Sequence, residues 1–349
     1  MTRIGIIGFG YMGMFHLNKA RQFDDLQVTC AFDTAEDKRQ KAEEEGLKAF
    51  SGLEEFLQEE TDLVVIATPN QWHAPYARAA MEAGKHVLCE KPAVMSVAEM
   101  EEVIRVSEKT GKFFTVHQQR RHDPDFRAVR DVIRSGQIGR ISTIESRVLG
   151  ERGVCFGWRA DPESGGGMLY DWGVHLIDQI LTLYPEEQVT SVYARILSVL
   201  TPAVDDLFEV TMTLSNGVAA RVNVGTFALQ KLPRWFVFGD RGTLKIDDFT
   251  GTAGGCARIR ERVDGFDSVL GKTGIGPSRT MAPLKPEYLE PLELPKEEDE
   301  TMAFWEQLRK ALKGEEAPEV TTEQVLRQMQ IVEAAFESSR KNEVIHTRI

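Results

Sequence analysis

Cysteine is scarce in this chain: there are four in 349 residues, Cys30, Cys89, Cys155 and Cys256, widely spaced and without a CxxC pair. That spacing excludes a readable zinc ribbon or a small disulfide framework and suits a reducing, cytoplasmic setting. Long apolar runs are also missing, since no uninterrupted stretch approaches the roughly 18 residues that a bilayer-spanning helix needs; no membrane is expected. The first residues faintly imitate a signal peptide, but Gly5 and Gly8 interrupt the apolar stretch and no small-residue cleavage site follows. They read better as a first strand. Basic charge is in deficit, 42 Lys and Arg against 54 Asp and Glu for a net charge of −12, the wrong sign for a phosphate-backbone footprint, so nucleic acid is not an expected partner. Internal repeats and low-complexity tracts are absent, and 42% hydrophobic with 28% charged residues is the composition of a folded globular chain.

The length argues for two domains. Up to about residue 119, short apolar runs at Ile4–Ile7, Gln27–Phe32, Asp62–Ala67, His86–Cys89 and Phe113–His117 alternate with helix patterns at Ala35–Glu45, Ala74–Ala83 and Ser96–Thr110. The runs lack polar alternation, as strands buried on both faces do. Ser96 and Glu99 have capping-box spacing at the start of the last helix. Strand, helix and strand in succession predict a Rossmann doubly wound parallel sheet over residues 1–122.

Beyond residue 122 the rhythm changes. Pro124–Ser135 reads as a helix, Ile141–Leu149 as a strand, and glycines 165–167 lead into a helix ending near Leu183. Phe208–Leu214 and Val218–Thr226 flank Ser215-Asn216-Gly217, and Arg234–Phe238 and Thr243–Ile246 flank Gly239–Gly242, two hairpin signals. Residues 250–295 read only as a long irregular connection. Two helices, Met302–Lys313 and Thr322–Arg340, finish the chain. Residues 123–349 are therefore expected to form an α+β domain on a largely antiparallel open sheet, with the closing helices able to pack back on the first domain. One face of that sheet needs a cover, and a second copy of the chain, as a homodimer or homotetramer, is the expected one.

Gly8-Phe9-Gly10-Tyr11-Met12-Gly13 is a GxGxxG element that follows a strand and opens a helix, and Asp33 lies twenty residues beyond Gly13 at the end of the second strand. In that context Gly8 allows the tight turn, Gly10 lets backbone approach a pyrophosphate, Gly13 permits close packing, and Asp33 accepts from a ribose hydroxyl. The Asp33 carboxylate favours NAD over NADP, a preference moderated by the nearby Lys38 and Arg39. Thr68, Pro69, Asn70 and His73 follow the next strand and are candidates for the cofactor cleft, although an ordinary turn before a helix explains Pro69-Asn70 nearly as well. For His73, a local polar contact is the better reading than proton transfer.

Glu90-Lys91-Pro92 ends a further strand at the ligand-bearing edge, where an ammonium can stabilise a developing alkoxide. On a helix, Asp171, His175 and Asp178 would share one face, a row suited to proton transfer. Asp171 and His175 offer too few ligands for a metal, and none is expected.

Gly8–Gly13, Glu90-Lys91-Pro92 and Gly165–Asp178 together resemble the three signature segments of the Gfo/Idh/MocA oxidoreductases, the glucose-fructose oxidoreductase and inositol dehydrogenase group. The similarity covers essentially the whole chain, including Gln119–Pro124. The resemblance implies an NAD-dependent enzyme moving hydride between the cofactor and a secondary hydroxyl or ketone of a sugar, inositol or related polyol. Lys91 and His175 carry over as the catalytic pair: His175 takes the hydroxyl proton, Lys91 steadies the alkoxide, and Asp171 supports both. Arg120, Trp158 and Arg159 are further candidates for substrate contact, although a core Trp with a surface Arg explains Trp158 and Arg159 better from sequence, and Glu90 is a candidate for the cofactor side. The free thiols are expected simply to pack, although Cys89 is near enough to Lys91 in sequence to sense the site. Two other readings keep the same fold: a redox-assisted NAD-dependent glycosidase or lyase, and a nucleotide-sensing regulator without turnover. The presence of Lys91, Asp171 and His175 argues against the latter.

Overall fold

The computed structural model describes residues 1–153, 156–260, 271–273, 276–278, 284–297 and 300–349. Six strands form the first sheet: β1 (Thr2–Ile7), β2 (Leu26–Phe32), β3 (Lys48–Phe50), β4 (Leu63–Ile66), β5 (His86–Cys89) and β6 (Phe114–Val116). All pairings are parallel and the order is β3-β2-β1-β4-β5-β6, the arrangement of a dinucleotide-binding Rossmann sheet. Ile4, Ile6, Ile7 and Leu63–Ile66 are wholly buried, as expected of strands covered by helices on both faces. The order reverses between β1 and β4, which opens a crevice at the carboxyl ends of those strands. The short edge strand β3 and the helix Leu53–Leu57 lie where sequence patterning offers three to five residues only.

The second sheet has nine strands: β7 (Ile141–Leu149), β8 (Val189–Leu197), β9 (Leu207–Leu214), β10 (Ala219–Gly225), β11 (Trp235–Gly239), β12 (Gly242–Ile246), β13 (Gly254–Ile259), β16 (Leu289–Leu292) and β17 (Ile345–His346). A separate pair, β14 (Gly271–Thr273) and β15 (Gly276–Ser278), stands apart. The order is β16-β13-β12-β11-β7-β10-β9-β8-β17, antiparallel except for β7 with β10. Both hairpins, β9–β10 and β11–β12, form as the turn residues require. The irregular connection expected over 250–295 is corrected in part, because β13 and β16 extend the sheet through pairs such as Cys256 with Leu292.

Alternation gives this sheet two unlike faces. Ile144, Val192, Val210, Met212, Val222 and Val237 are buried on the inner side. The outer side carries an ionic lattice in which Glu145 joins Arg147 and Arg221, and Arg195 faces Glu209. The face is thus mostly polar, with Phe236 and Phe238 in ring contact near one end.

The closing helices, Ala303–Leu312 and Thr322–Lys341, reach the first sheet. Arg309 makes a two-pronged pair with Asp25 at 2.8 Å, Thr115 donates to the Val320 carbonyl, and the Val97 amide donates to Glu333. Thr321 and Gln324 close a full capping box on the longer helix. At Ser96 only half of the expected box forms: Ser96 accepts from the Glu99 amide, but the Glu99 carboxylate turns to the Met95 amide instead.

Candidate active site

A cavity of about 900 Å³ lies at the crevice of the first sheet and extends to the Leu169–Leu183 helix of the second domain. Its first wall is the turn after β1. Gly8 has φ +89°, and a Cβ there would stand 2.5 Å from the Ala67 carbonyl oxygen; a Cβ on Gly13 would stand 2.3 Å from the Gly8 carbonyl oxygen. Both positions therefore admit glycine alone. Gly10 differs: no atom lies within 4 Å of where its Cβ would be, and it lines the cavity. That is open space in front of backbone amides at a helix start, the cradle that a dinucleotide pyrophosphate requires. Asp33 also lines the cavity, held by the Phe9 amide on Oδ2 at 2.8 Å and the Ala35 amide on Oδ1 at 2.9 Å. The residues present thus fit a nicotinamide dinucleotide.

Gly8, Gly10, Tyr11, Met12, Asp33, Thr68, Pro69, Asn70, Glu90 and Lys91 all border the cavity. Three of the sequence candidates do not. Phe9 packs into the core and contributes only its amide, and Gly13 serves packing behind the turn. His73 is fully buried, its ring nitrogens 2.7 Å from the Pro92 carbonyl oxygen and 2.9 Å from that of Thr68. It straps two cleft loops together. Asn70 is tied across the domains, donating to the Gly165 carbonyl at 2.8 Å. Stacked Trp72 and Tyr76 extend the wall.

Glu90 sits one residue before Lys91, and its Oε1 lies 2.8 Å from His16 Nε2 and 2.9 Å from His117 Nδ1. Burial opposes ionisation of this carboxyl, but the two histidines, His117 foremost, more than offset it and hold it well below the usual range. These three side chains are the one group among the described residues whose donor atoms, all within 4.8 Å, could share a metal ion. With one oxygen already accepting from both rings, they form a closed hydrogen-bonded triad.

The second wall begins where the Asp205 carboxylate accepts from the Leu169 amide at 2.8 Å and fixes the start of the helix. Burial pushes the Asp205 carboxyl up to about 6 despite its amide bonds. Residues Leu169–Gly173 form a π-helical turn before the regular helix Val174–Leu183. Such an irregularity is common at functional sites, and the expected row of three is divided by a competing partner. Asp171 and His175 both face the cavity, while Asp178 makes a buried bidentate pair with Arg121 at 2.6 and 2.8 Å. Removing one partner of such a pair costs about 3–5 kcal/mol, which makes Asp178 a structural residue.

Lys91 Nζ donates to Asp171 Oδ1 at 2.6 Å and to the Asp171 carbonyl at 2.9 Å. Burial works against the Asp171 charge, but Lys91 and then Arg159 outweigh it and lower its pKa. His175 is 3% exposed and its Nδ1 lies 2.7 Å from Gln118 Oε1. Burial first, then the Lys91 and Arg120 cations, hold His175 well below the ordinary imidazole range, with Glu90 opposing. The ring is neutral at pH 7 and can act as a base.

Arg120, Trp158 and Arg159 border the same end of the cavity. Arg120 stacks over Trp172 at 4.2 Å and pairs with Asp123 at 2.8 Å, and Arg159 lies over Trp158 at 4.4 Å. Gln119 and Trp172 also line this end; both lie inside quoted motif segments, yet nothing in their spacing singles them out. Cys89 turns away: its thiol is fully buried, pushed well up by burial, and contacts the Ala93 carbonyl. It has no access to the cavity, contrary to the expectation from sequence. Cys30 and Cys256 are likewise buried free thiols, and Cys155 lies outside the described residues.

Residues 2–118 match the oxidoreductase family with an NAD-binding Rossmann fold, and residues 126–245 match the GFO/IDH/MocA C-terminal domain. A solved NAD-binding protein from Listeria innocua is 37% identical, with a TM-score of 0.94 and 99% of each chain covered. The scyllo-inositol 2-dehydrogenase (NADP(+)) IolW of Bacillus subtilis is 26% identical over 98% of this chain and 95% of its own. The 1,5-anhydro-D-fructose reductase of Ensifer adhaerens is 33% identical over 52% of this chain and 56% of its own. Three further curated relatives, two from Schizosaccharomyces pombe and one from Escherichia coli, are matched over 42% and 38%, and over 53%, of their length respectively, so the chain spans about two fifths to half of each. No helix among the described residues is long and apolar enough to cross a membrane.

Proposed function

The chain belongs to the Gfo/Idh/MocA family of NAD-binding oxidoreductases, and from that premise we propose that it interconverts a secondary hydroxyl and a ketone on a sugar, inositol or related polyol. The observation that carries this reading is the meeting of Lys91, Asp171 and His175 in one cavity with the open Gly10 cradle. Bound there, a nicotinamide dinucleotide supplies the acceptor or donor of hydride. The Gly8–Gly13 turn and Asp33 are its holding residues, and Asp33, acceptor of a ribose hydroxyl and repellent to a 2′-phosphate, favours NAD over NADP.

His175, neutral and buried, takes the proton of the substrate hydroxyl. The Lys91 ammonium has three donors, two of which are engaged by Asp171; the third stabilises the developing alkoxide. Asp171 fixes the ammonium and balances its charge. Arg120, Trp158 and Arg159 supply donors and an apolar ring face suited to a polyhydroxylated substrate. The inositol dehydrogenase and anhydrofructose reductase named above act on substrates of this class. A screen of inositols, aldoses and their keto forms with NAD and NADP, read by nicotinamide absorbance, tests the proposal. Absence of turnover on every member of that class would overturn it.

The expected setting is the cytoplasm, and the expected assembly is a homodimer or homotetramer with the outer face of the nine-stranded sheet as the contact. The Glu145, Arg147 and Arg221 lattice is self-complementary in charge, so a two-fold partner could match it. A monomeric mass by light scattering at micromolar concentration would contradict that assembly.

A further inference from the structure

We infer that Gln118 and Gln328 are positioning residues that lock His175 in the tautomer bearing its proton on Nδ1, leaving Nε2 as the bare, base-competent nitrogen. The inference rests on the proposed role of His175, but its physical content does not depend on turnover.

The polarity follows from one fixed acceptor. The main-chain carbonyl of Val174 can only accept, and the Gln328 amide group lies 2.5 Å from it. The group at that end must therefore be the Gln328 NH₂, since two oxygens at this separation would repel. Gln328 Oε1 is then directed to the Gln118 amide, 3.5 Å away, which must present its own NH₂. Gln118 Oε1 is consequently the atom 2.7 Å from His175 Nδ1. An amide oxygen accepts, so Nδ1 carries the hydrogen. All three side chains are nearly inaccessible, Gln118 and Gln328 at 1% and His175 at 3%, and neither glutamine has an unpartnered buried atom. Reversing the Gln118 amide alone would set its oxygen against Gln328 Oε1, and reversing Gln328 would set its oxygen against the Val174 carbonyl, a cost of about 1–3 kcal/mol for each group left unsatisfied. Nε2 has no protein partner among the described residues, and His175 lines the cavity.

The arrangement also spans the fold. Gln118 follows β6, His175 lies on the Val174–Leu183 helix, and Gln328 belongs to the closing helix Thr322–Lys341. Docking of that last helix thereby sets the chemistry of a ring in the cleft. A histidine orienter in other enzymes is commonly a carboxylate. A neutral amide fixes the tautomer without adding negative charge, consistent with a ring whose protonation is already disfavoured by burial and by Lys91 and Arg120.

Histidine-selective ¹⁵N labelling with two-bond ¹H–¹⁵N spectra, the His175 signals being assigned by their loss in His175→Ala, reads the tautomer directly at neutral pH. The expected result is a protonated Nδ1 and an unprotonated Nε2. Gln118→Met should yield a tautomer mixture and slow turnover roughly tenfold or more, with NAD affinity by fluorescence titration unchanged. Gln118→Glu keeps an acceptor, so it should restore the Nδ1–H form and shift the acid limb of the pH profile upward. A wild-type ring protonated on Nε2 overturns the inference without any variant, as does an unchanged Nδ1–H population in folded Gln118→Met. If His175→Ala turns over normally while the wild-type tautomer is as stated, the proposed base fails and the tautomer lock stands.

Discussion

Lys91 donates twice to Asp171, once to the carboxylate at 2.6 Å and once to the main-chain carbonyl at 2.9 Å. The lysine comes from the end of a strand in the first sheet and the aspartate from the π-helical turn of the second domain. The π-helical turn presents both the carboxylate and the main-chain carbonyl of one residue to the same ammonium. One contact thus joins the domains and fixes the cation beside His175, the arrangement from which a polyol oxidoreductase is proposed.

The glycines of the first turn should separate folding from binding. Gly10→Ala meets open space, so its thermal midpoint should match the parent while NAD affinity, followed by fluorescence, drops by an order of magnitude or more as the new methyl occupies the cradle. Gly13→Ala meets a carbonyl at 2.3 Å, and overpacking of this kind costs about 1–3 kcal/mol. Its thermal midpoint should fall. Equal NAD affinity in Gly10→Ala and parent would contradict the assigned cradle.

Lys91→Met and His175→Ala should each lower turnover by about 10²–10⁴-fold, the usual contribution of an acid–base group, with nearly intact NAD binding. The pH dependence carries a sign. The pKa of His175 lies well below 6.5, so the base is already deprotonated at that pH. Polyol oxidation limited by this group should stay level from pH 8 to 6.5 and decline only below, as the ring gains its proton. An acid limb centred at or above 6.5 would assign the titration to another group.

Asp33→Ala should weaken NAD more than NADP, because it removes a ribose acceptor together with the charge that rejects a 2′-phosphate. Isothermal titration of both cofactors checks this. Tighter binding of NADP than NAD by the parent chain would overturn the preference.

How much of this could be read from the chain alone varies with the kind of constraint. The first sheet was legible because Ile4–Ile7 and Leu63–Ile66 are buried on both faces and leave continuous apolar runs. Strand β8 was not, since a register shift between Val189 and Ser191 breaks the alternation that would mark it. Strands β13 and β16 are glycine-rich or contain Pro291, and they pair across about thirty residues, which local patterning cannot see. In the site, the glycines, Asp33, Lys91 and His175 announce themselves because chemistry demands those residue types. Gln118, Gln328 and Asp205 do not, for their roles exist only once a distant amide or carbonyl is brought to them. Asp178 misleads for the converse reason: its helical spacing from His175 is right, but Arg121 claims it.

The most direct test of the account is to incubate the protein with excess NAD and a panel of free polyols and simple glycosides, following nicotinamide reduction and product identity together. The account predicts free NADH accumulating in a one-to-one ratio with a ketone product from a free polyol. A glycoside split with no bulk NADH would contradict it, while leaving Lys91 and His175 at the centre of a different reaction.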